Sequence, residues 1–362
     1  MNATLEQPIT DFYRYPPLGG DDWSYAFETA QARTLETQML ARSTLLDMAN
    51  ASDFKQAADY LRSTEYAIPA GAGLSGLEKV LSASRTTLRR QFEGWMHNEM
   101  ILSLFKSRDD FANLRLAVRR ILTKKPIGSD YSPDGGFPPE QFVDAFENEK
   151  YEMLPDYMAD AAQRAILAWY SAKGETSSGG VQDKDIRRID YAIDAAQTEF
   201  NLTTAAKLKN EFLLGLFRIQ TDLTNIRTTL RLKMSGDTKT DSFDNAIEMV
   251  FLPGGYVERE KLVRGIEAGA EGISALFFAT PYFECVQTGA AYAASEKSFL
   301  KIEQQCEEYL AGYLRSTISV AAGPQPVIAF LLLKENEIRT VRLLLTAKKN
   351  HLNPKLILDR IS

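Results

Sequence analysis

The apolar positions of this chain repeat mainly with the period of a helix. Phe212, Leu216, Ile219, Leu223, Ile226 and Leu230 alternate spacings of four and three, which draws one continuous stripe along a helix. Residues 30–48 ("AQARTLETQMLARSTLLDM") and 299–314 ("FLKIEQQCEEYLAGYL") show similar amphipathic spacing. Alternating runs of the strand type are few. Gly, Pro and Ser punctuate the pattern at "IPAGAGLSG", "KKPIGSDYSPDGGFPP", "AKGETSSGG", "LKMSGDTKTDS", "FLPGGY" and "AAGPQP". The patterning predicts an all-α protein.

The helical pattern also repeats at long range. Asn113-Leu114-Arg115, Asn225-Ile226-Arg227 and Glu337-Ile338-Arg339 follow one another at a spacing of 112 residues. A second arginine comes four residues after the first in two copies (Arg119, Arg231) and three after it in the last (Arg342). The first two copies match further upstream, where "LFKSRDDFANLR" faces "LFRIQTDLTNIR". A second landmark, "PDGGFPPEQF" from Pro133, resembles "PGGYVEREKL" from Pro253, with Asp134 reading as an insertion. The equal spacing requires compensating length changes, and "AKGETSSGG" is where extra residues fit. A period above 100 residues implies triplicated domains, because solenoid repeats run to about 20–50 residues. We therefore expect an N-terminal extension over 1–20 and helical repeats over 21–130, 131–240 and 241–362.

Two readings of the repeated motif stand. In one, the motif fixes how each domain packs its long helix. Arginines one turn apart share a face there and pair with carboxylates or cover neighbouring helix ends. In the other, three equivalent helices line a shared axis and present Asn113, Arg115, Arg119, Asn225, Arg227, Arg231, Glu337, Arg339 and Arg342 to a partner.

Composition narrows the function classes. The chain has 362 residues, is 44% apolar and 25% charged, and carries a net charge of −6. That charge argues against nucleic acid as a partner, since phosphate neutralisation needs concentrated Lys and Arg. The longest apolar run, "VIAFLLL", is seven residues, far short of the roughly 20 needed to span a bilayer. "MNATLEQPITDF" lacks the basic start and apolar core of a secretory signal. Cys285 and Cys306 are expected to be reduced, as small core or near-surface residues.

These stretches together resemble a known family. "KENEIRTVRLLLTAKKNHLNPKLILDRI", "DLTNIRTTLRLKMSGD", "FLPGGYV", "YAFETAQARTLETQML" and "LRSTEY" are similar, in order and spacing, to segments of the C subunits of the A/V-type (archaeal and bacterial V-type) ATP synthases, relatives of the vacuolar ATPase d subunit. The chain departs from the family at Asp134, at the Pro138-Pro139 pair, at Glu337 in place of Asn, and over residues 1–20. The resemblance implies three similar helical domains around a pseudo-threefold axis, forming a funnel. It implies a non-catalytic central-stalk rotor subunit on the cytoplasmic face of a membrane proteolipid ring. Such a subunit receives the central shaft subunits and hands torque between ring and catalytic head. It holds no cofactor, metal or nucleotide, has no transmembrane segment, and is monomeric in isolation.

Few residues of the chain suggest a competing chemistry. "GAGLSG" (71–76) fits G-x-G-x-x-G, but a dinucleotide fingerprint needs a strand before it and an acidic residue about 20 positions on. Here it follows the helical "DYLRSTEYAIPA", and Glu93 lies in the helical "RRQFEGWM", so a turn between helices is expected. No phosphate-binding G-x-x-x-x-G-K-[ST] occurs. His97 and His351 pair with no metal-ligand partner in sequence. His97 reads as a satisfied core or groove residue, and His351 as a residue at a helix C-terminus. The basic clusters "VRRILTKK" and "LTAKKNH" read as complements of helix C-termini, or as contacts to ring loops or anionic headgroups. The alternatives to the rotor reading are a helical scaffold for an unrelated protein and an enzyme built on the Gly71 loop.

Overall fold

The computed structural model describes residues 12–124, 130–171, 186–235, 249–269 and 272–361. Among these the ordered elements are helical, and none is a strand. In chain order they are α1 (Ala26–Glu36), α2 (Arg42–Asn50), α3 (Phe54–Asp59), α4 (Gly73–Trp95) and α5 (Glu99–Leu122), then α6 (Pro139–Glu147), α7 (Asp156–Tyr170), α8 (Arg187–Lys207) and α9 (Glu211–Ser235). There follow α10 (Arg259–Glu267), α11 (Gly272–Leu276), α12 (Phe283–Glu296), α13 (Leu300–Arg315), α14 (Pro324–Lys349) and α15 (Pro354–Ile361). The breaks at "AKGETSSGG" and in most of "LKMSGDTKTDS" lie outside the described residues.

Two compact units emerge. One is built from residues 98–266. Its helix α5 starts where the Asn98 side chain accepts from the amides of Met100 and Ile101, two donors that have no intrahelical partner. Helix α8 passes into α9 through a tight turn. Lys209 takes a left-handed φ of 50°, and the amides of Lys209 and Asn210 close back on Ala206 and Ala205. The Asn210 side chain then caps α9 through the amide of Leu213. Helix α7 packs along α8, and α5 rests on both. Phe111, Leu114, Phe142, Met158, Ala161, Ile189 and Ile193 form the core between them. The six stripe residues of α9, from Phe212 to Leu230, are all buried, as the pattern predicts.

The other unit is discontinuous, made of residues 10–97 and 267–362. Its hub is α14, against which α1, α2, α3, α4 and α13 all pack. The run "VIAFLLL" supplies the first half of that hub and is buried almost all round, which explains a helix apolar on every side without invoking lipid. No helix of the described residues is long and apolar enough to cross a membrane. Helix α14 opens with proline at N1, where the missing amide costs nothing, and ends in a Schellman turn at His351 (φ 53°). The segment before α1 is docked on this unit: Tyr15 packs on Tyr309 and Tyr313, and Gln325 donates to the carbonyls of Leu18 and Gly20.

One expected helix is two. The amphipathic stretch 30–48 is interrupted between α1 and α2, although nothing in residues 37–41 forbids a helix. The amide of Leu40 leaves the helical ladder and donates to Glu337 of α14. A tertiary acceptor has overridden local propensity.

Phe142 touches the rings of Tyr131, Phe137 and Phe146 and is wholly buried. Truncation to alanine (F142A) should lower unfolding free energy by about 3–5 kcal/mol, read from urea denaturation.

Candidate functional site

The repeated motif is a clamp between a long helix and the loop that precedes a short one. On α5, Asp110 and Asn113 lie one turn apart and on one face. Asn113 pairs doubly with the backbone of Ser132, donating to its carbonyl at 2.9 Å and accepting from its amide at 2.8 Å. Asp110 accepts from the amides of Gly136 at 3.1 Å and Phe137 at 2.9 Å, and from the Tyr157 hydroxyl at 2.8 Å. Two residues after Phe137, α6 begins.

On α9 the same chemistry recurs. Asn225 pairs doubly with Leu252, at 2.9 and 2.8 Å, and Asp222 accepts from the amides of Tyr256 and Val257, each at 3.0 Å. Two residues after Val257, α10 begins. Arg218 adds a bond to the Gly254 carbonyl at 3.1 Å and lies over the Tyr256 ring. Burial lowers the pKa of that guanidinium.

The loop must come very close to the helix. A Cβ on Gly135 would sit 2.3 Å from an Asp110 oxygen, and one on Gly255 would sit 2.1 Å from an Asp222 oxygen. Glycine is required at both for that approach. The hydrogen bonds also correct the register read from sequence. Ser132, Gly136 and Phe137 match Leu252, Tyr256 and Val257 without any length change, so Asp134 is not an insertion. It stands where Gly254 stands. Gly254 alone takes a left-handed φ (82°), so superposing the two glycine doublets shifts the comparison by one residue.

The third helix builds the clamp differently. On α14, Lys334 occupies the aspartate position and Glu337 the asparagine position. Glu337 reaches the amide of Leu40 at 2.5 Å, and α2 begins two residues later. Its other oxygen accepts from the Tyr66 hydroxyl at 2.7 Å and from the Lys334 ammonium at 2.5 Å. Lys334 also meets Glu65 at 2.5 Å and lies over the Tyr66 ring. The pair is buried, and the extra donors around Glu337 are what make such burial tolerable. Burial and the Glu337 charge raise the pKa of Tyr66, keeping it a donor. Tyr157 is raised for the same two reasons, burial first and Asp110 second. Burial likewise raises Asp110, against the pull of its amide and hydroxyl donors.

The arginines of the motif do not share one environment. Arg115 pairs with Asp194 and approaches Asp190, and Arg119 pairs with Asp190, so two cations one turn apart on α5 meet two anions one turn apart on α8. Burial raises Asp194 while Arg115 pulls it down. Arg227 is half-buried and donates to Thr224 at 3.2 Å. Arg342 pairs with Glu78 of α4 at 2.9 Å. Arg231 and Arg339 are exposed, and Arg339 has no ion-pair partner among the described residues.

Other candidates fall into place as structure. Lys348 of "LTAKKNH" is buried and donates to the carbonyl of Ala51, covering the end of α2. Arg120 of "VRRILTKK" pairs with Asp130 and lies over Tyr131. Gly71 (φ 78°) makes a turn before α4, and the stretch "DYLRSTEYAIPA" expected to be helical is instead a run of turns after α3, which ends at Asp59. His97 is on the surface rather than in the core, stacked on Tyr25 with Glu28 at 3.2 Å. No group of three or more His, Cys, Asp or Glu that could hold a metal occurs among the described residues. A cavity of about 400 Å³ lies beside the second clamp, lined by Tyr191, Glu199, Phe251, Pro253 and Arg259 among others. Asp110 and Asp222 are not among the motif residues singled out from the sequence, although they share the D-x-x-N spacing with Asn113 and Asn225 that forms part of the family resemblance.

The clamp is thus an all-helical device in which the aspartate and asparagine of a long helix are spent on the backbone of the chain's own loops. Similarity to known proteins identifies the family. The family model for the ATP synthase (C/AC39) subunit matches residues 29–360, and the chain belongs to that family. It is similar to the C subunit of the V-type sodium ATPase of Enterococcus hirae, with 22% identity over 333 residues, covering 91% of this chain and 95% of the relative.

Two outcomes test the clamps. Asn225→Ala strips both partners from the Leu252 backbone and should cost about 1–3 kcal/mol in the denaturant midpoint, with Gly255→Ala costing a similar amount by displacing Asp222. Glu337→Ala leaves the Leu40 amide and the Tyr66 hydroxyl without their acceptor, and buried Lys334 with Glu65 alone. It should cost about 3–5 kcal/mol and raise hydrogen exchange over residues 37–50 more than over α7 and α8.

Proposed function

We propose that this chain is a non-catalytic central-stalk rotor subunit of a rotary A/V-type ATPase or ATP synthase. It seats on the cytoplasmic side of the membrane proteolipid ring, receives the foot of the central shaft, and passes torque between them. Membership of the C/AC39 family supports the host complex. The observation that carries the mechanical reading is the repeated clamp on α5, α9 and α14. A torque adaptor has to transmit strain without yielding, and buried, fully bonded joints between long helices and their loops meet that need.

The three clamps also support a triplicated build, with helical repeats over 21–130, 131–240 and 241–362; the family resemblance is what implies their disposition around a pseudo-threefold axis as a funnel. In that arrangement the buried Asn113, Asn225 and Glu337 each hold a loop of a neighbouring module rather than of their own. Arg115, Arg119 and Arg342 brace neighbouring helices. The exposed Arg231 and Arg339 are the motif residues placed to meet a partner, and anionic side chains of the shaft are the matching chemistry. The coupling ion is selected in the ring rather than in this chain.

Purified full-length protein should be retained by a detergent-solubilised proteolipid ring and, separately, by the shaft subunits. The double charge reversal Arg231→Glu with Arg339→Glu should weaken shaft retention about tenfold while leaving ring retention and the melting temperature unchanged. Undiminished shaft binding rejects the contact role of these arginines, and failure to bind either partner rejects the rotor assignment.

A further inference from the structure

Neither the clamps nor the rotor reading uses the two cysteines. Helices α12 and α13 form an antiparallel hairpin, closed through Lys297 in a left-handed conformation (φ 53°). Cys285 on α12 and Cys306 on α13 face each other across it, with Sγ atoms 3.6 Å apart and no disulfide between them. Both are almost wholly buried, at 5% and 2% exposed.

A second feature of the hairpin explains why the thiols meet. One turn along α12 from Cys285 is Gly289, and one turn back along α13 from Cys306 is Ile302. A Cβ on Gly289 would lie 2.5 Å from the Ile302 side chain and 3.1 Å from its Cα. The backbones therefore approach closely here, and the Gly289–Ile302 and Cys285–Cys306 pairs share one antiparallel register. Ala290 and Ala293, also buried, keep this part of α12 slim. Sulfur atoms at van der Waals contact on two closely packed helices need only a small side-chain rotation or shift to reach bonding distance.

We propose that Cys285 and Cys306 form a redox-active dithiol, a modification site that takes a small two-electron oxidant of the peroxide class. One thiolate attacks the peroxide, the O–O bond breaks, and one water leaves, giving a sulfenic acid. The neighbouring thiol then displaces the sulfenic oxygen as a second water, and the S–S bond forms. The two sulfurs are each oxidised by one electron and the peroxide is reduced by two. Burial sets the selectivity. Bulky disulfides and alkylating reagents are excluded, whereas a peroxide molecule is small enough to enter during local opening of the hairpin. The product staples α12 to α13, and dithiol reductants restore the thiols.

The test uses the full-length reduced protein, treated with hydrogen peroxide in native buffer and analysed by intact mass and peptide mapping. The expected result is a loss of about 2 Da, a Cys285–Cys306 linked peptide, loss of both thiols titratable after denaturation, and recovery of both with dithiothreitol. Cys285→Ser and Cys306→Ser should each abolish the mass loss while keeping the native melting temperature. The oxidised wild-type chain should melt higher than the reduced one. Three results overturn the proposal: both thiols still titrating after treatment, oxygen addition without cross-linking, or covalent dimers in place of the internal bridge. None of them bears on binding to ring or shaft, so this proposal and the rotor assignment fail independently.

Discussion

The structure depends on how loop backbone is satisfied when it is pressed against a buried helix. A loop that enters a short helix presents free amides, and in a dry interior each one left unpaired costs free energy. This protein answers from the long helix. Asp110 and Asp222 supply acceptors to two successive amides, and Asn113 and Asn225 supply a donor and an acceptor to one residue further back. The spacing of three between acid and amide puts both on one helix face, so the loop is gripped at two points. Two-point attachment fixes direction as well as position, and the short helices α6 and α10 therefore start at the same distance beyond the grip.

The third copy shows how the same constraint is met with other residues. Its loop lies almost 300 positions upstream, since Leu40 and Glu337 are 297 residues apart in sequence. A glutamate reaches the amide that an aspartate takes elsewhere, and a buried lysine compensates the charge. The clamp joins the two ends of the chain into one unit, in which α14 packs against α1, α2 and α3 from the first sixty residues. Joints of this kind stiffen a fold, because close-packed and fully bonded contacts pass strain on instead of absorbing it.

The arginines that made the repeat conspicuous turn out to be its least uniform part. Arg115 and Arg119 answer Asp194 and Asp190, Arg342 answers Glu78, and Arg339 faces solvent. Guanidinium groups are long enough to find whichever carboxylate their surroundings offer, so the residue type recurs while the contact does not. Short side chains have no such latitude. Asparagine and aspartate must be placed within a few tenths of an ångström to bond backbone, and they carry the structural repetition.

The sequence alone determined the helical class, the buried stripe of α9, the amphipathic helix read over 299–314, the family resemblance and the recurrence of the motif, because each follows from periodicity or from residue identity at fixed spacing. It read the alignment of the two glycine loops one residue out of step, since glycine doublets look equivalent until hydrogen bonds show which amide meets which acceptor. It also merged α1 and α2, because local propensity holds no record of a distant acceptor. Tertiary structure alone decided that Glu337 draws Leu40 out of a helix, that the last long helix is completed by the first sixty residues, and that Cys285 faces Cys306. The reason is common to all three: each is a contact between side chains or backbone groups far apart in sequence, and only the packed fold brings them within bonding distance.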